Sequence, residues 1–263
     1  MGRPIHLTFH APVLPQVAHV TALRPFLWLR LGWEDLRSNP GPSIAHGLLL
    51  VSAGWLILLF FGTHIDLLAA AISGFLLLGP LFCAGFYELS RLRSTGGAAT
   101  FDASLDGALK NSKRLGFLGM LLAILAIAWV NVSGLVFERA FGGALPLAAE
   151  DLYRTFLDWS NGLFFVTYMT TGAILALIAF VLAAISAPMI FDSAANTSTA
   201  VLTSIKAVAV NPAAMAVWAM LIALLTAIGF ATFLLGLAIV LPLLGHATWH
   251  SYRDLVGSAN RSG

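Results

Sequence analysis

Nineteen successive residues from Ile44 to Gly62 carry no Asp, Glu, Lys or Arg, and the chain returns to such stretches throughout its length. About 20 predominantly apolar residues make a helix long enough to cross a bilayer. Six stretches meet that condition, at roughly 44–62, 66–89, 115–137, 163–187, 212–230 and 234–251. The last two are nearly continuous, and Gly229 and Gly236 mark the expected turn between them. Composition agrees: 59% of residues are hydrophobic and 10% charged, against about 25% charged in a soluble domain. The expected fold is therefore an all-α, polytopic membrane helix bundle. Its six transmembrane helices form three helical hairpins, each preceded by an interfacial amphipathic helix. The membrane domain should span 24–256, with a flexible tail at 1–23 and a short one at 257–263.

Charge orients the bundle. With six spans, twelve of the 14 basic residues fall on the side that holds both termini and the 90–114 loop. The other side keeps only Arg139 and Arg154, with Asp66, Glu138, Glu150, Asp151 and Asp158. Lys and Arg stay cytoplasmic, so both termini should face the cytoplasm of a bacterial inner membrane. Net charge is +2, which leaves no electrostatic footprint for nucleic acid.

Each odd span is preceded by a segment of helical periodicity. In PFLWLRLGWEDLR, Phe26, Leu29, Trp33 and Leu36 share a face opposite Arg30, Glu34 and Arg37. FDASLDGALKNSKR pairs Asp106 with Lys110 beside Leu105 and Leu109, and TSTAVLTSIKAVAV spaces Val201, Ile205 and Val208 similarly. Such helices lie in the interface plane. Two of them end in Asn39-Pro40 and Asn211-Pro212, where the residue before proline leaves the helical region. The middle copy has Arg114-Leu115 at the expected joint. Pro80, Pro188 and Pro242 punctuate the even spans, so a threefold internal repeat is expected, with units of about 24–93, 101–196 and 197–256. The insertion at 138–161 carries an apolar stripe of Leu152, Phe156 and Trp159, the expected partner-docking element if it does not lie on the bilayer.

Chemistry is sparse. The single cysteine, Cys83, excludes a disulfide framework. Walker, dinucleotide, HExxH and GxSxG patterns are absent. Ser90 and Cys83 have no base and orienting acid near them in sequence. The span centres hold no charged residue, which argues against a coupled ion transporter. Their polar groups, Asn131, Ser133, Thr167, Tyr168, Thr170 and Thr171, suit helix-to-helix hydrogen bonding. His6, His10 and His19 lie in the tail, while His46 and His64 lie at the two ends of the first span. His246 and His250 share a helix face at i and i+4, as metal or haem ligands could. Trp249, Tyr252 and Arg253 beside them favour an interfacial anchor instead.

From TALRPFLWLRLGWEDL through LPLLGHATWHSYRDL, the chain resembles a bacterial family of uncharacterised multi-span membrane proteins with a domain of unknown function. GHATWHSYRDL is the most specific run. Some members carry the label putative cytochrome c oxidase subunit I, which does not suit a chain with three of its seven histidines in the first 19 residues. The expectation is a non-enzymatic accessory or scaffolding component of the inner membrane, without a cofactor, in contact with membrane lipids and with a larger membrane complex. The alternatives are an auxiliary subunit of a redox complex, holding haem or copper through His246 and His250, and passage of a lipid or small apolar molecule.

Overall fold

A computed structural model describes residues 14–63, 65–142, 162–193 and 195–257. These are mostly helical, with no strand among them. Two helices meet at a single joint residue three times. α1 (Arg24–Ser38) leads into α2 (Pro40–Phe61), α6 (Phe101–Lys110) into α7 (Ser112–Phe141), and α10 (Thr197–Val210) into α11 (Pro212–Ala231). Between the first two pairs lie α3 (Ile65–Leu77), α4 (Gly79–Phe82) and α5 (Ala84–Ser94). α8 (Gly162–Ala183) and α9 (Ser186–Asp192) follow α7, and α12 (Leu237–Tyr252) with a π-helical turn, Arg253–Gly257, ends the described chain.

Four helical segments are long and apolar enough to cross a membrane: Pro40–Phe61, Ser112–Ala140, Gly162–Asp192 and Pro212–Ala231. The second and sixth expected spans do not reach that length as single helices. Turns at Leu78 and Cys83 divide 65–94 around Pro80, and α12 has 16 residues. The turn before α12 falls between Gly229 and Gly236, as expected, and includes Gly236. Gly229 lies inside α11, whereas Phe233 and Leu234 take the positive φ values of 53° and 68°.

All three joints are asparagines, Asn39, Asn111 and Asn211, so the middle joint lies three residues before the expected Arg114-Leu115. Around them one buried register recurs. Gly32, Ser104 and Ser204 stand seven residues before the joint, and Asp35, Gly107 and Ala207 four before. Four residues after it come Ser43, Leu115 and Met215, and seven after it His46, Leu118 and Trp218, all buried. The first helix of each pair thus turns small residues towards its neighbours. α1 reaches α12 most closely at Gly32, where a Cβ would stand 2.7 Å from the Ala247 backbone nitrogen.

The joints link successive pairs in a ring. Asn39 Nδ2 donates to Ala99 O, just before α6. Arg114 Nη1 donates to Ser193 O at 2.8 Å and Thr197 Oγ1 to Arg114 O at 3.1 Å, at the start of α10. Asn211 Nδ2 donates to Ala18 O at 3.0 Å and its Oδ1 accepts from Val20 N at 2.9 Å, just before α1. That last link revises the loose-tail expectation for 14–23. Lys206 Nζ reaches Pro15 O and Ala18 N reaches Leu255 O, while Val17 and Val20 pack on the core. Of the 138–161 insertion, 138–141 extends α7; Leu152, Phe156 and Trp159 lie outside the described residues.

Candidate functional site

Between the first helix pair and the last helix no short linker holds the ring closed, and the polar residues of the bundle gather there. The carboxylate of Asp35, on the buried face of α1, is their centre. Its Oδ2 accepts from Ser90 Oγ of α5 at 2.5 Å and bonds His250 Nε2 of α12 at 2.9 Å; Oδ1 pairs with Arg93. Ser90 Oγ is also 2.7 Å from His246 Nδ1, and His246 Nε2 is 2.9 Å from Ser43 Oγ of α2. Since the Ser90 proton points to Asp35, the neutral imidazole of His246 donates from Nδ1 to Ser90 and accepts at Nε2 from Ser43. This tautomer is assigned from the network. Ser43 Oγ also lies 3.0 Å from Asn39 O, a second acceptor for its proton.

A neighbouring pair extends the cluster. His46 Nε2 lies 2.7 Å from Ser104 Oγ of α6, and Phe86 stacks edge-on against both His46 and His246. Glu88, buried, is held by Arg91 through two bonds of 2.7 Å. Outside the membrane-spanning stretches, Arg24 grips Asp254 at 2.7 and 2.9 Å and Trp28 Nε1 donates to the same carboxylate at 2.9 Å. Burial pushes both the Asp35 and the Asp254 carboxyl up, but their hydrogen-bond partners outweigh it and hold each below its ordinary value. A cavity of about 310 Å³ opens on this cluster, bounded by Asp35, Asn39, Ser90, Arg93, Gly97 and His246.

The recurring register shows that the fold itself does not require these polar groups. Where the first pair has Asp35, Ser43 and His46, the second has Gly107, Leu115 and Leu118, and the third Ala207, Met215 and Trp218. Buried polar groups are costly unless satisfied, so their restriction at these positions to the first of the three pairs marks that pair as specialised.

Sequence reasoning singled out His246 and His250, and the structure gives both a partner on α1 or α2. Three of their ring nitrogens are engaged by Ser43, Ser90 and Asp35. No group of three or more His, Cys, Asp or Glu placed to hold a metal occurs among the described residues. The interfacial-anchor reading is corrected: Trp249 and Tyr252 are 1% and 3% exposed. Packing of α1 and α9 on this end of α12 covers them, and Tyr252 OH and Arg253 both bond Asp192 at 2.8 Å. Ser90 does have an imidazole and a carboxylate beside it, from residues far away in sequence.

The apolar stripe expected on α1 is split. Leu36 is buried, whereas Phe26 and Trp33 stay exposed. In the spans, Asn131, Thr167 and Thr171 bond carbonyls of their own helices, and Ser133 reaches Tyr168 OH.

Residues 67–192 match the family described as "Predicted integral membrane protein (DUF2189)". The chain contains an integral membrane protein segment of unknown function. The DUF2189 match covers a little under half of the sequence. It includes Ser90 and Arg93 but neither α1, α2 nor α12, so it assigns no role to Asp35, His246 or His250. The description names no oxidase, and the oxidase label gains no support from it. No curated protein matches the chain, and no solved structure does.

Proposed function

We propose that the protein is a non-enzymatic scaffolding or accessory component of the bacterial inner membrane. It crosses six times as three repeated units, with both termini cytoplasmic, and the Asp35 cluster is the seam that holds the first and last units together. The broken 65–94 segment and α12 with its preceding turn make the two crossings that are not single long helices. One observation carries the reading: the Asp35 carboxylate and the Ser43, Ser90, His246 and His250 side chains are bonded together across α1, α2, α5 and α12. A buried network bonded in this way rigidifies an assembly. Twelve basic residues against two support the orientation.

Reconstitution tests the role. In liposomes the purified protein should neither move ions nor turn over ester or peptide substrates, and mass spectrometry in mild detergent should find it with other membrane proteins. Turnover or ion flux abolished by Asp35→Ala or Ser90→Ala would overturn the reading.

A further inference from the structure

α2 and α12 touch where Gly47 meets Ala238; a Cβ on Gly47 would stand 2.3 Å from the Ala238 carbonyl oxygen. Beyond this contact α2 runs on away from the Asp35 cluster. A second hollow of about 220 Å³ opens there among Leu50, Gly54, Ile57, Phe75, Phe230 and Leu234. Its lining carries no charged or hydrogen-bonding side chain, so a headgroup or polar solute finds nothing to bind. It is also smaller than the roughly 300–1,000 Å³ of a pocket for a whole small molecule.

Two features shape it. Gly54 lets the turn before α12 pack close to α2, since a Cβ there would lie 3.1 Å from Leu234 Cδ1. Phe233 and Leu234 take left-handed conformations that non-glycine residues seldom adopt. The turn sets Leu234 into the wall, buried, and leaves Phe233 at the rim with 79% exposure. α2 and α11 are both long enough to span a membrane, and on the proposed crossing that rim faces hydrocarbon. A void there would forfeit dispersion contacts along its whole lining.

We propose that this crevice binds one acyl chain of a membrane lipid, which completes the apolar half of the seam whose polar half is the Asp35 cluster. The occupant follows from the lining, the size and the hydrocarbon-facing rim, and from continuity with the α2–α12 interface. The site lies apart from the Asp35 cluster; it rests on the proposed membrane crossing and not on the scaffolding role.

The full-length protein, reconstituted in phosphatidylethanolamine–phosphatidylglycerol vesicles, is irradiated with a trace of phospholipid bearing a diazirine in its acyl chain. Labelling of peptides around 50–58 and 228–237 should be saturable by unlabelled lipid. It should be several-fold above labelling of the exposed α7 face at Ile127 and Leu135. Gly54→Phe should abolish the saturable part while α7 labelling is unchanged. Ile57→Phe, which adds bulk at the α2 wall without altering the glycine contact, should do the same if Gly54→Phe does not fold. Crevice labelling no higher than that of α7, or unaffected by filling the crevice, would overturn the proposal.

Discussion

At Asp35 one carboxylate receives a guanidinium, a serine and a histidine from two other helices. Removing it takes the acceptor from the buried Ser90 and the half-buried His250, while the exposed Arg93 keeps solvent. Asp35→Ala should therefore cost about 2 kcal/mol in thermal unfolding of the detergent-solubilised protein, the exposed Arg93 adding little, and Ser90→Ala about 1 kcal/mol. Equal effects would mean that Asp35 is not the centre. The sign of the pH dependence follows from the lowered carboxyls of Asp35 and Asp254. A carboxyl depressed in the folded state contributes stability that is complete above its unfolded value of about 3.9 and is lost as pH falls through the lower folded one. Trp28 fluorescence, which reports α1 docking, should thus hold steady from neutral pH to about 4 and change only below it. At Gly32 the obstacle is backbone, so Gly32→Leu must push α1 off α12, an overpacking cost of about 1–3 kcal/mol; unchanged unfolding would refute that contact. The histidine pair was visible in the sequence, but its partners were not: Ser43 lies 203 residues from His246 and Asp35 215 from His250. Trp249 and Tyr252 read as headgroup anchors because their type and place fit one, and only the packing of α1 over them shows otherwise.

Among the elements, the long apolar helices and the helix before each odd span could be read directly, since both rest on local periodicity. The broken helices could not. Pro80 signalled punctuation, yet a proline early in a helix is tolerated, and nothing local fixed turns at Leu78 and Cys83. The middle joint was displaced because Asn39-Pro40 and Asn211-Pro212 drew attention to proline, whereas the shared residue is the asparagine. That residue does two tasks at its third occurrence: Asn211 ends α10 and ties down the segment before α1 through Ala18 and Val20. Asn211→Ala should accordingly raise amide exchange at 17–20 while leaving the centres of α7 and α8 protected. Protection unchanged at 17–20 would show that packing of Val17 and Val20 suffices without the side chain.

The molecule as a whole is a chain of helix pairs in which the first returns to the last. Joints within the chain are supported by short linkers; the closure between α1 and the C-terminal turn has none, and it collects Asp35, His246, His250, Arg24 and Asp254. Sequence gave no direct sign of that closure, because it depends on pairings across nearly the full length of the chain. Placing cysteines at Arg24 and Asp254 in a Cys83→Ala background, and treating native membranes with a short thiol-to-thiol linker, examines it directly. The pair is 2.7 Å apart between side chains, so the linker should join the two cysteines within one chain and protect α1 from proteolytic release. Linkage only between separate chains, or none at all while each cysteine alone reacts freely, would contradict the closed ring.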